Sequence, residues 1–122
     1  MSTIIERFNK IKSNILALKP TKQVNIIAVS KTFPLDHIKP LIDYGHTHFG
    51  ENKVQEAKVK WAEVKKQYKD LKLHMIGKLQ RNKVKDALKI FDYIHSLDSQ
   101  KLADNLSESQ KNMGKSLKYF IQ

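Results

Sequence analysis

Apolar positions along the chain alternate between two spacings, one helical and one continuous. From Thr3 to Leu18 they recur at Ile4, Phe8, Ile11, Ile15 and Leu18, which is one face of an amphipathic helix, with Thr3 and Glu6 in capping-box register. Val24 to Ser30 is instead a short, nearly unbroken apolar run, the pattern of a strand buried on both faces. A second helix is predicted from Leu35 to Tyr44, stopping at Gly45 and carrying Pro40 as a kink. The alternation then repeats three times. "HTHFG" reads as a strand, followed by a helical stripe of Val54, Ala57, Trp61, Val64 and Tyr68. "LHMIG" precedes a helix with Val84, Ala87, Leu88 and Phe91. "YIHS" precedes a helix capped by Asp98 or Ser99, built on Leu102, Ala103, Leu106 and Met113 and ended by Gly114. "LKYFIQ" is a fifth strand.

Strand alternating with helix is the pattern of a parallel α/β protein. Two architectures use such units. An open five-stranded doubly wound sheet suits 122 residues by length, but it normally ends on a helix. A parallel (β/α)8 barrel of the TIM type needs eight units, so about five strands would be an incomplete one. No Pro/Gly-rich linker divides the chain, which therefore reads as a single domain over residues 1–122, long enough to bury a core.

Charge and cysteine content narrow the function. The formal net charge is +11, an excess that is almost wholly lysine, since Arg7 and Arg81 are the two arginines. Base readout and bidentate phosphate grips lean on arginine, and these lysines are spread over every helix rather than gathered in a stripe. Nucleic-acid binding by a non-catalytic basic module is thus the alternative reading, and solvated helix faces account for most of the charge. Cysteine is absent, which excludes thiolate chemistry and fits a reducing, cytoplasmic setting. No secretory leader and no run of about 20 apolar residues is present, so no membrane association is expected.

Lys31 is the first candidate for chemistry. It follows the Val24 to Ser30 strand, where two readings stand open: the strand ends and the lysine points into water, or it delivers a reactive amine to the mouth of a site. His46 and His48 share a strand face, with His74 and His95 on neighbouring strands, but no carboxylate at ligand spacing joins them and no metal site is assigned. "MGKS" lacks the first glycine of a phosphate-binding loop and precedes a strand.

Taken together, "AVSKTFP", "FGENKVQEAKVK", "HMIGKLQRNKVK" and "IHSLDSQKLA" resemble the pyridoxal phosphate homeostasis family, whose members adopt the alanine racemase N-terminal-domain barrel. The resemblance runs over essentially the whole chain and favours the barrel. It implies pyridoxal 5′-phosphate as cofactor, a role in its intracellular homeostasis, and an aldimine at Lys31. A free amine is needed for that bond, and partial desolvation at the end of an apolar strand lowers a lysine toward it. Asn52, in "FGEN", lies at the same rim; its amide could meet the cofactor ring or phenolic oxygen, or simply cap a helix. The resemblance brings no second catalytic residue, so no enzymatic turnover is expected. It also places the phosphate-holding segments after later strands, beyond Gln122. The chain thus reads as a truncated barrel with impaired cofactor binding, and its open sheet edges predict self-association.

Overall fold

The computed structural model describes residues 3–122. Five helices alternate with five strands: α1 (Thr3–Ala17), β1 (Ala28–Val29), α2 (Leu35–Asp43), β2 (His48–Glu51), α3 (Val54–Gln67), β3 (Lys72–Met75), α4 (Val84–Ile90), β4 (Tyr93–Leu97), α5 (Gln100–Met113) and β5 (Lys118–Ile121), with a 3₁₀ turn at Arg81–Lys83 leading into α4. All neighbouring strands are parallel and the spatial order is β1-β2-β3-β4-β5. This order settles the choice of architecture. A doubly wound sheet reverses its strand order at a switch point, whereas a barrel adds each strand beside the last. The sheet is five consecutive strands of barrel type, with β1 and β5 as its edges.

One face of the sheet carries the core. Phe49, Leu73, Met75 and Ile94 are buried against the helices, and the Phe49 ring lies 5.0 Å from that of Trp61 on α3. Val54, Ala57, Trp61 and Val64 form the buried stripe of α3 as its periodicity predicts. Tyr68 falls at the helix cap instead, where its hydroxyl donates to Asp43 Oδ1 at 2.7 Å. Ser99 is the N-cap of α5, its Oγ accepting from Leu102 N at 3.1 Å, and Gly114 ends that helix at φ 63°. Pro40 lies inside α2, and its carbonyl accepts from Tyr44 N at 3.0 Å at the end of the helix.

Three expectations are corrected. The first strand is Ala28–Val29 rather than Val24 to Ser30, because as an edge it pairs on one side only, with a β2 that begins at His48. In α1 only Phe8 is buried, while Ile11 and Leu18 of the expected apolar face are exposed. Thr3, expected to cap α1, is itself helical.

Candidate functional site

The carboxyl ends of the strands bring the two sequence-predicted residues together. Val29 pairs with Gly50, and Ser30 N donates to Gly50 O at 2.9 Å. Lys31 follows in the turn after β1 and Asn52 lies just past β2, so both stand at the carboxyl ends of two adjacent parallel strands. Lys31 is exposed, which corrects the expected partial burial: β1 is an edge and Val29 within it is itself half exposed. Asn52 is half-buried, and its amide oxygen is buried without a partner among the described residues. Buried polar atoms are nearly always paired, so an amide left free at a strand end is available to a ligand. Gly77, at the end of β3, closes on Asn52 from the other side. A Cβ there would stand 2.7 Å from both Asn52 Cβ and Asn52 O.

Beneath Lys31 lies a polar cluster that sequence reading missed. Glu51, fully buried at the end of β2, accepts from Trp61 Nε1 at 3.1 Å, from Lys60 Nζ at 3.1 Å and from the Ser30 hydroxyl. Lys60 also donates to Ser30 O at 2.8 Å and pairs with Glu56 at 3.2 Å. Glu56 Oε1 accepts from Thr32 N at 2.6 Å, a bond that holds its carboxyl below the ordinary carboxylate value. The one signal of this in the sequence is the Glu56/Lys60 spacing of four on a helix. Buried Glu51 gives none, because an acid after a strand glycine reads as a solvated end.

A second cluster crosses the middle of the open face, the one opposite the helices. His48 Nδ1 and His74 Nε2 are 2.9 Å apart, and His74 Nδ1 and His95 Nε2 are 2.8 Å apart. The Tyr93 ring stacks on His74 at 4.2 Å, and Phe120 stacks on His95. Among the described residues no group of three side chains is placed to hold a metal ion. Burial pushes His74 down to about 4, with the neighbouring His95 and His48 adding to it and Asp92 opposing it. An unfolded histidine titrates near 6.5. Below that value the unfolded chain takes up a proton that the folded chain refuses until about pH 4, so stability is full above the window and falls on acidification through it. Between pH 7.5 and pH 5 the chain should lose about 2 kcal/mol from His74, read as a lower urea midpoint. His74→Gln, which does not titrate, should shrink that difference to what His46, His48 and His95, also lowered by burial, still contribute; an equal acid loss in the variant would assign the effect elsewhere.

No family model matches the chain. It is 38% identical over 125 residues to a pyridoxal phosphate homeostasis protein of Pasteurella multocida, covering 98% of this chain and 54% of the relative. A protein of the same name from Pseudomonas aeruginosa is 38% identical, with 90% and 49% covered. Among solved structures, PipY of Synechococcus elongatus with PLP bound superposes at a TM-score of 0.75 and 41% identity, over 88% of this chain and 51% of that one. An alanine racemase of Clostridium difficile, at 15% identity and a TM-score of 0.64 over 90% of this chain and 29% of its own, shares the fold alone. The chain spans about half the length of the curated relatives it matches.

Proposed function

From its relationship to the N-terminal part of the pyridoxal phosphate homeostasis proteins, we propose that this chain carries the amine side of a pyridoxal 5′-phosphate site, with Lys31 and Asn52 as its contacts. The cofactor supplies an aldehyde, with which an unprotonated lysine condenses as water leaves. The observation that carries the reading is the buried, unpartnered amide oxygen of Asn52 just past β2, at the same strand ends as the turn that holds Lys31, where barrels of this kind gather their chemistry. Lys31 offers its amine from the rim. Asn52 offers a directed amide that could orient a ring or a phenolic oxygen. Gly77 approaches Asn52 so closely that any side chain at 77 would displace it.

The role is that of a cofactor carrier and not of a catalyst, in a cytoplasmic setting and from one partial barrel domain over residues 1–122. No helix among the described residues is long and apolar enough to cross a membrane. The edges β1 and β5 and the exposed Phe120 and Ile121 support self-association through the open sheet. Lysines 39, 58, 60, 65 and 66 pair with carboxylates of the chain itself, which weakens the basic-module alternative.

The test is to mix the chain with pyridoxal 5′-phosphate and follow the visible absorbance of the bound aldehyde. Lys31→Ala should remove most of the change, and Asn52→Ala should weaken it. An unaltered signal in Lys31→Ala would refute the assignment.

A further inference from the structure

The backbone around Lys31 is held in an unfavourable shape from outside. Ser30 O accepts from Phe33 N at 3.2 Å, closing a four-residue turn in which Lys31 is second and Thr32 third. Thr32 has φ 66°, the left-handed region that this class of turn reserves for glycine or asparagine. A β-branched residue there is a genuine outlier and persists only where its surroundings impose it. The imposing contacts are visible on both sides of the lysine. Before it, Ser30 is fixed through its N–H and hydroxyl to β2 and through its carbonyl to Lys60. After it, Thr32 N donates to Glu56 Oε1, a bond between residues 24 apart in sequence. Lys60 in turn holds Glu56.

We propose that Glu56 is a positioning residue: its carboxylate clamps the Thr32 N–H, keeps the turn in its left-handed form, and so sets where the Lys31 amine stands at the strand rim. This deepens the cofactor reading above and rests on it. Without the clamp, the Lys31–Thr32 peptide is expected to flip, bringing Thr32 to negative φ and freeing the turn that holds Lys31 to exchange between forms. Glu56 touches no ligand in this scheme and acts only through the turn.

The experiment has two readouts, one of which needs no cofactor. In the wild-type chain, NMR should show a strong contact from Lys31 Hα to the Thr32 amide and slow exchange of that amide. In Glu56→Ala the contact should weaken and exchange should rise, while Glu56→Gln, which keeps an acceptor oxygen, should retain most of both. The second readout is the rate at which borohydride fixes a pyridoxyl label on Lys31, expected to drop roughly tenfold in Glu56→Ala, since small misplacements of a reacting group cost rate steeply. Thr32→Gly added to Glu56→Ala should restore the rate, because glycine adopts positive φ without a clamp. A turn unchanged in Glu56→Ala, or a flipped turn with Lys31 labelled as fast as before, overturns the proposal. If the wild-type chain takes no label at Lys31, the cofactor reading fails and the positioning role fails with it, while the amide exchange still decides whether Glu56 clamps the turn.

Discussion

With Lys60 replaced by methionine, the chain should lose about 3–5 kcal/mol of stability, the cost of leaving a buried charge without its partner. Lys60 is 8% exposed and Glu51 fully buried, at 3.1 Å from one another. After the replacement Glu51 keeps the Trp61 and Ser30 donors but no cation, and the Ser30 carbonyl loses the lysine that crosses to it. Methionine preserves the length of the apolar stem, so the loss reports charge rather than volume. The double variant Glu51→Gln/Lys60→Met removes both charges and should recover a large part of the loss, since a neutral pair in the same space avoids the desolvation of either ion. Urea unfolding with an unchanged slope measures both. A Lys60→Met chain as stable as the parent would mean that the Lys60–Glu51 pair contributes nothing beneath the turn, and the account of how Ser30 is held would fall with it.

The second large effect is expected at Gly77. A methyl group there meets Asn52 Cβ and Asn52 O at 2.7 Å and Asn52 Cα at 3.0 Å, closer than real Cβ contacts come, and two of these three are backbone atoms. The ends of β2 and β3 must therefore separate. Overpacking of this kind costs about 1–3 kcal/mol, and Asn52 is the residue displaced. Gly77→Ala should lower the urea midpoint, shift the Asn52 side-chain amide resonances and weaken binding of pyridoxal 5′-phosphate together. Gly45→Ala is the contrast. Its φ of 107° makes alanine strained, but nothing lies within 4 Å of the added Cβ, so stability alone should change. Equal disturbance of Asn52 by both variants would show that the effect at Gly77 is not local.

Much of the fold could be read from periodicity because each segment commits its local pattern to one element. The Val54, Ala57, Trp61 and Val64 stripe, the Ser99 cap and the Gly114 stop each depend on neighbours within a turn or two. The order of strands does not, and periodicity alone left the barrel and the doubly wound sheet open. The same limit applies to α1. Ile11 and Leu18 have helical spacing, yet whether that face is covered depends on what packs there: Phe8 is buried against Tyr44 and His46 and Ile4 packs partly on the core, while Ile11 and Leu18 stay exposed. Lys31 and Asn52, the residues of the proposed site, were reachable because motifs at successive strand ends carry them. The clamp was not, for Thr32 meets Glu56 across 24 residues, Ser30 meets Lys60 across 30, and Thr32 betrays its positive φ only in three dimensions. The histidine chain was half visible. His74 and His95 were expected on neighbouring strands, and the structure adds that they and His48 bond to one another on the open face.

The central claim is that Lys31 is the residue of this chain that bonds the aldehyde, and reduction with peptide mapping reads it directly. The chain is incubated with pyridoxal 5′-phosphate or with unphosphorylated pyridoxal, treated with borohydride at short times, digested, and each lysine scored by mass. Lys31 should be labelled ahead of the other lysines, by the two aldehydes to a similar extent, since the residues assigned here contact the amine and ring side of the ligand and not its phosphate. Label spread over the lysines with Lys31 no faster than the rest would contradict the account.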